Sequence, residues 1–184
     1  MADFKIKPTS GTGNSLELQN EAGNVVFSTN NGTGSSSWGT VAPAGTVIQT
    51  KWNEYATATS ITSTTKGSGT ATGLSVVITP TLTSNKLLFN LGVAWYGTGT
   101  DGGIGIEIHD GSSVVATDEL TTAFYINGDG TEYIRTRHFF MAFITPASTS
   151  STTYSVRMFK DSAMTVTAQE SSEKSQITVQ EIQQ

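Results

Sequence analysis

Apolar and polar residues alternate along most of this chain with the period of two that marks a half-buried β-strand. In "LSVVITP" (74–80) Leu74, Val76 and Ile78 share one face. In "KLLFNLGVAW" (86–95) Leu87, Phe89, Leu91, Val93 and Trp95 share one face, with Leu88, Asn90, Gly92 and Ala94 on the other. The Gly-rich "GTGTDGG" (97–103) reads as a loop leading to "IGIEIHD" (104–110), which predicts Ile104, Ile106 and Ile108 inward and Glu107 and His109 outward. Asp110-Gly111 is a hairpin signal before "SSVVATDE". Further strands are expected at 46–52, weakly at 58–64, and at 121–126, 132–145, 153–160, 164–170 and 175–183, with "NGDG" as the loop after 126. Nine or ten short strands separated by turn residues, with no amphipathic helix, predict an all-β fold. The expected form is an antiparallel, jelly-roll-like β-sandwich.

The N-terminal part has a different character. "FKI" (4–6) and "LELQNEAGNVVF" (16–27) are strand candidates, the second a hairpin in which Gly23 and Asn24 suit a tight turn. The Gly/Ser/Thr stretch at 28–45 offers little to bury except Trp38 and reads as a linker. Residues 1–45 are therefore expected to form a short extended arm and linker. Phe4, Ile6, Leu16, Leu18, Val25 and Phe27 are its apolar residues, and the attachment candidates if the arm docks on a partner, and residues 46–184 form the head.

Composition supports a folded β-protein. Charged residues make up 14% of the 184, yet three Trp, five Tyr and eight Phe lie within alternating segments, unlike a disordered chain. Abundant threonine keeps strand propensity while giving a polar outer face. The net charge of −5 and the scattered Lys and Arg argue against a nucleic-acid partner, which calls for a basic stripe. Without cysteine there is no disulfide framework, thiolate metal site or thiol nucleophile. "MADFKIKPTSGTGNS" lacks the apolar stretch of a secretory signal, and no apolar run reaches membrane-helix length. No membrane insertion is expected.

Candidate chemistry is sparse. His109 and His138 fall on different strands without ligands at metal-binding spacing. Asn127, Asp129 and Glu132 in "NGDGTEY" faintly echo a calcium loop but lack its carboxylate spacing. "TTKGSGTATG" (64–73) lacks the order of a phosphate loop. No strained serine turn accompanies His109 and Asp110, and Glu107, Asp118 and Glu119 have no spacing that pairs them for acid–base work. The sequence thus predicts a protein that is not an enzyme and carries no cofactor.

Two surface features remain. Trp95, Tyr96 and Tyr125 border the Gly-rich stretches, where aromatic faces beside polar loops could hold a glycan or simply cap the core. Arg135 and Arg137 share a strand face with Phe139, Met141 and Phe143, which is irregular for an inside/outside pattern. A bulge, a passage from surface to interior, or a subunit contact would each produce it. Arg135, Arg137 and Phe139 are the candidate interface residues.

The run "TGLSVVITPTLTSNKLLFNLGVAW", preceded by "PAGTVIQT" and closed by "SQITVQEIQ", resembles a C-terminal β-domain of virion proteins in tailed bacteriophages, marine and cyanobacterial ones among them. "GNSLELQNEAGNVVFSTNNGTG" is similar to the short arms that precede such domains. The resemblance implies a jelly-roll homotrimer, made in the host bacterial cytoplasm and built into the virion. As a capsid decoration protein (a cement protein or head fibre) it would bind the major capsid protein or another virion protein through its arm. As a tail fibre or tail-tip protein it would bind a host surface glycan through its end loops. Neither shaft repeats nor heptads are present, which favours decoration.

Overall fold

The structure is a computed structural model that describes residues 5–8, 16–19, 22–23, 25–29, 36–38, 43–118 and 124–184. Two compact units divide the chain, one comprising 1–48 with 183–184 and the other 49–182. Among the described residues the fold is all-β and every strand pairing is antiparallel.

The N-terminal unit holds a four-stranded meander of β1 (Lys5–Pro8), β2 (Leu16–Gln19), β3 (Val25–Thr29) and β4 (Ser36–Trp38). The expected hairpin between β2 and β3 is present, with Gly23 at φ +80°. The presumed linker is partly strand, because Ser36–Trp38 pairs with β3. Register aligns Ile6 with Leu18, Leu18 with Phe27 and Phe27 with Trp38, a row of apolar residues running across all four strands. Phe4 lies outside the described residues, as do the side chains at Ile6, Leu16 and Val25.

The larger unit is a sandwich-like arrangement of β5 (Val47–Tyr55), β6 (Thr59–Ile61), β7 (Thr70–Ile78), β8 (Lys86–His109), β9 (Val114–Asp118), β10 (Phe124–Ile144), β11 (Thr152–Lys160), β12 (Met164–Ala168) and β13 (Ser175–Ile182). The 24-residue β8 is its spine. Along one edge it pairs successively with β13, β12 and β11, and along the other with β10 and β9. The alternation of β7 and of the first half of β8 places Leu74, Val76, Ile78, Leu87, Phe89, Leu91, Val93 and Trp95 in a continuous core. Ile106, Ile108, Val156, Met158, Ile177 and Val179 complete its centre.

Two predicted loops are strand. Gly97–Gly103 continues β8 because its glycines admit bulky neighbours: a Cβ on Gly97 would collide with the Trp95 ring. A Cβ on Gly105, just beyond, would collide with the Phe159 ring in the same way. Residues 127–130 lie within β10, where the register against β8 shifts between Asn127 and Glu132.

Candidate functional site

The most exposed apolar surface lies on the outer side of β5, β13, β8 and β10. From Glu132 to Ile144 β10 pairs with β8 without a break, so its odd-numbered residues all share the face turned away from the core. Tyr133, Phe139, Met141 and Phe143 stand there 60 to 74% exposed. Their partners on β8 include Gly92 opposite Phe139 and Asn90 opposite Met141, and on β13 Gln176 and Thr178 continue the same rows. A shallow groove of about 310 Å³ results, with Gly92, Asn90, Gln176 and Thr178 as its floor and Arg137, Phe139 and Met141 along one wall. Trp52 on β5, 68% exposed, belongs to the same face. Glu54, two residues on, lies beside Gln176, whereas Gln49 and Asn53 point the other way, to Glu181 and the Ser75 carbonyl.

The two arginines that disturbed the sequence pattern lie on this outer face without a bulge at their positions. The Arg135 guanidinium pairs with Glu170 and lies 5.8 Å from the centre of the Tyr96 ring. Arg137 donates to the Lys174 carbonyl at 2.6 Å, and Lys174 in turn reaches Glu54. The 169–174 segment that receives them carries three non-glycine residues in the left-handed region, Gln169, Ser171 and Ser172. Gln169 is pinned by its N–H to the Ala94 carbonyl and by its side chain to the Ser175 hydroxyl. The structure thus brings Arg135, Arg137 and Phe139 together on one accessible face.

The glycan candidates do not come together in this way. Trp95 is 1% exposed and packs in the core, so it presents no face to a sugar. The strand that continues through the Gly-rich stretch carries it inward rather than to a loop rim. Tyr96 is half-buried beside Arg135, and the Tyr125 side chain lies outside the described residues.

Glu107 and His109, expected outward, are buried. The segment between β6 and β7 crosses their face, and the Gly67 and Gly69 N–H groups donate to the Glu107 carboxylate, the second at 3.1 Å. His109 Nε2 stands 2.9 Å from the same carboxylate. The stretch that lacks the order of a phosphate loop therefore wraps a side chain of its own protein, the Glu107 carboxyl group. Asp118 pairs in register with Ile106, one position from Glu107, and so faces the opposite side of the sheet. There it meets His138 Nε2 at 2.8 Å. Glu107 and Asp118 accordingly form no acid–base pair, and Glu119 lies outside the described residues. Asp110 accepts from the Ser112 and Ser113 N–H groups of its own turn rather than orienting His109; those backbone bonds, Ser113's foremost, hold its carboxyl below the usual range. Among the described residues no three metal-ligating side chains converge, and no helix is long and apolar enough to cross a membrane. The side chains of Asn127 and Asp129 lie outside the described residues.

A second buried carboxylate, missed in the sequence, fixes the "TPTLTSNK" turn. Glu181 Oε1 accepts from the Thr81 N–H and hydroxyl, both at 2.7 Å, and from Asn85 Nδ2 at 2.6 Å, while Gln49 reaches Oε2. Burial alone would raise this carboxyl, but the donors from Asn85, Gln49 and Thr81 outweigh it and hold the group below the ordinary carboxylate range. The apparent signal, Thr and Asn in a turn, gives no hint of its distant partner.

Compared with known protein families and with characterised proteins, the chain matches no family model and no single protein.

Proposed function

We propose that the protein is a non-enzymatic structural component of a bacteriophage virion, a trimeric capsid decoration protein attached through its N-terminal sheet. The observation that carries this reading is the Ile6–Leu18–Phe27–Trp38 row. A sheet with an apolar face must bury it against another element. A row of apolar residues in register on a short sheet is suited to docking on a neighbouring virion protein, and several arms per oligomer add avidity to a weak individual contact. The head would then project from the shell as a compact, acidic knob.

The tail-fibre alternative relied on aromatic end loops for a host glycan, and it loses support with Trp95 in the core. The decoration reading is tested by changing Leu18 and Phe27 together to Asp and measuring incorporation into particles. A folded variant that no longer joins the particle is the expected result. Normal incorporation would place the attachment elsewhere.

A further inference from the structure

We infer that the outer face of the β5–β13–β8–β10 sheet is the surface on which a second copy of this chain seats. This deepens the reading of the protein as an assembly component and rests on it. Tyr133, Phe139, Met141, Phe143 and Trp52 leave most of their surface to solvent. Taken together they expose on the order of 600 Å² of largely apolar area, given the size of aromatic side chains. With the groove floor included, the face approaches the roughly 800 Å² per partner of a standard stable interface. A patch of that size is well beyond the scattered apolar residues of an ordinary surface.

Composition points to the occupant. Around the rim Arg135 pairs with Glu170 and Lys174 with Glu54, while Arg137 donates to the Lys174 carbonyl and Lys86 to the Thr145 hydroxyl. An apolar centre of aromatic residues and methionine with the charges set at the rim is the composition of an interface between copies of one chain. Shape agrees, because the face carries both a projecting ring, Trp52, and a groove walled by Phe139 and Met141 that can receive one. Among the described residues β10 has β8 on one side and no strand on the other. An adjoining copy would also shield that edge, which is otherwise open to indiscriminate pairing.

The test uses the full chain. Light scattering coupled to size exclusion at micromolar concentration is expected to report an oligomer, and a monomer would overturn the proposal. Phe139→Glu combined with Met141→Glu, and separately Trp52→Glu, are each expected to weaken association about 30-fold or more, the loss of a central anchor. Variants that keep the wild-type circular dichroism spectrum and still assemble normally would overturn the proposal. Because the chain has no cysteine, Met141→Cys offers a milder probe should a charged variant fail to fold. Its thiol is expected to react slowly in the oligomer and quickly on dilution, whereas a fast, concentration-independent reaction would contradict a buried face. An oligomer with these properties that never joins particles would refute the virion role alone and leave this interface standing.

Discussion

Asn85 and Glu181 lie 96 positions apart and meet through a 2.6 Å hydrogen bond from the Asn85 amide to the buried carboxylate. The bond ties the turn between β7 and β8 to the final strand, with Thr81 and Gln49 completing the shell of donors. No cation is among these partners; neutral donors alone stabilise the charge.

Replacing Glu181 by Gln removes the charge from these bonds and sets an amide N–H₂ among groups that are themselves donors. Charged hydrogen bonds contribute about 1.5–3 kcal/mol each, and unsatisfied buried donors cost a similar amount. Glu181→Gln is expected to lower stability by about 3 kcal/mol, and Asn85→Ala by about 2 kcal/mol, in urea denaturation. A change below about 0.5 kcal/mol, the range of ordinary surface substitutions, would mean that the cluster is incidental.

The same cluster sets a pH dependence. The folded carboxyl titrates below its usual value of 4.5, so its stabilisation is fully present above that value and is lost as pH falls through the lower folded value. Wild-type stability is expected to drop between neutral pH and the acid side of 4.5, and Glu181→Gln to show a shallower drop. Parallel pH profiles for the two proteins would contradict the assignment.

At Gly105 the expectation is steric. An added Cβ would overlap the tip of the Phe159 ring, which is itself buried. Gly105→Ala is expected to cost about 1–3 kcal/mol through overpacking. Thermal unfolding checks this, and an unchanged midpoint would show that Phe159 can move aside.

Ser171 predicts the opposite sign. It holds φ +57° without the freedom of glycine. Ser171→Gly is expected to stabilise the protein by about 0.5–1 kcal/mol, which thermal unfolding would register as a higher midpoint. A lower midpoint would show that the unfolded chain's gain in freedom outweighs the relief of strain.

Local alternation made β7 and the first half of β8 legible, since Leu74 through Ile78 and Leu87 through Trp95 needed only the period-two rule. The Gly97–Gly103 stretch was not legible. Glycine signals turns more often than close packing, and Trp95 and Met164, which lean on these positions, become visible only in three dimensions. Glu107 and His109 misled for a related reason: ionisable residues default to the surface, and the strap that buries them comes from some 40 residues away. The Arg135–Arg137 irregularity was a true signal. The pattern reported a face that is not core, on which Phe139, Met141 and Phe143 stand exposed beside the arginines.

The central claim, a structural role on the virion, is tested most directly by labelling intact particles with a gold-tagged antibody to this protein and imaging them by electron microscopy. Label distributed over the capsids is the predicted result. Particles without label, or label confined to the tail, would contradict it.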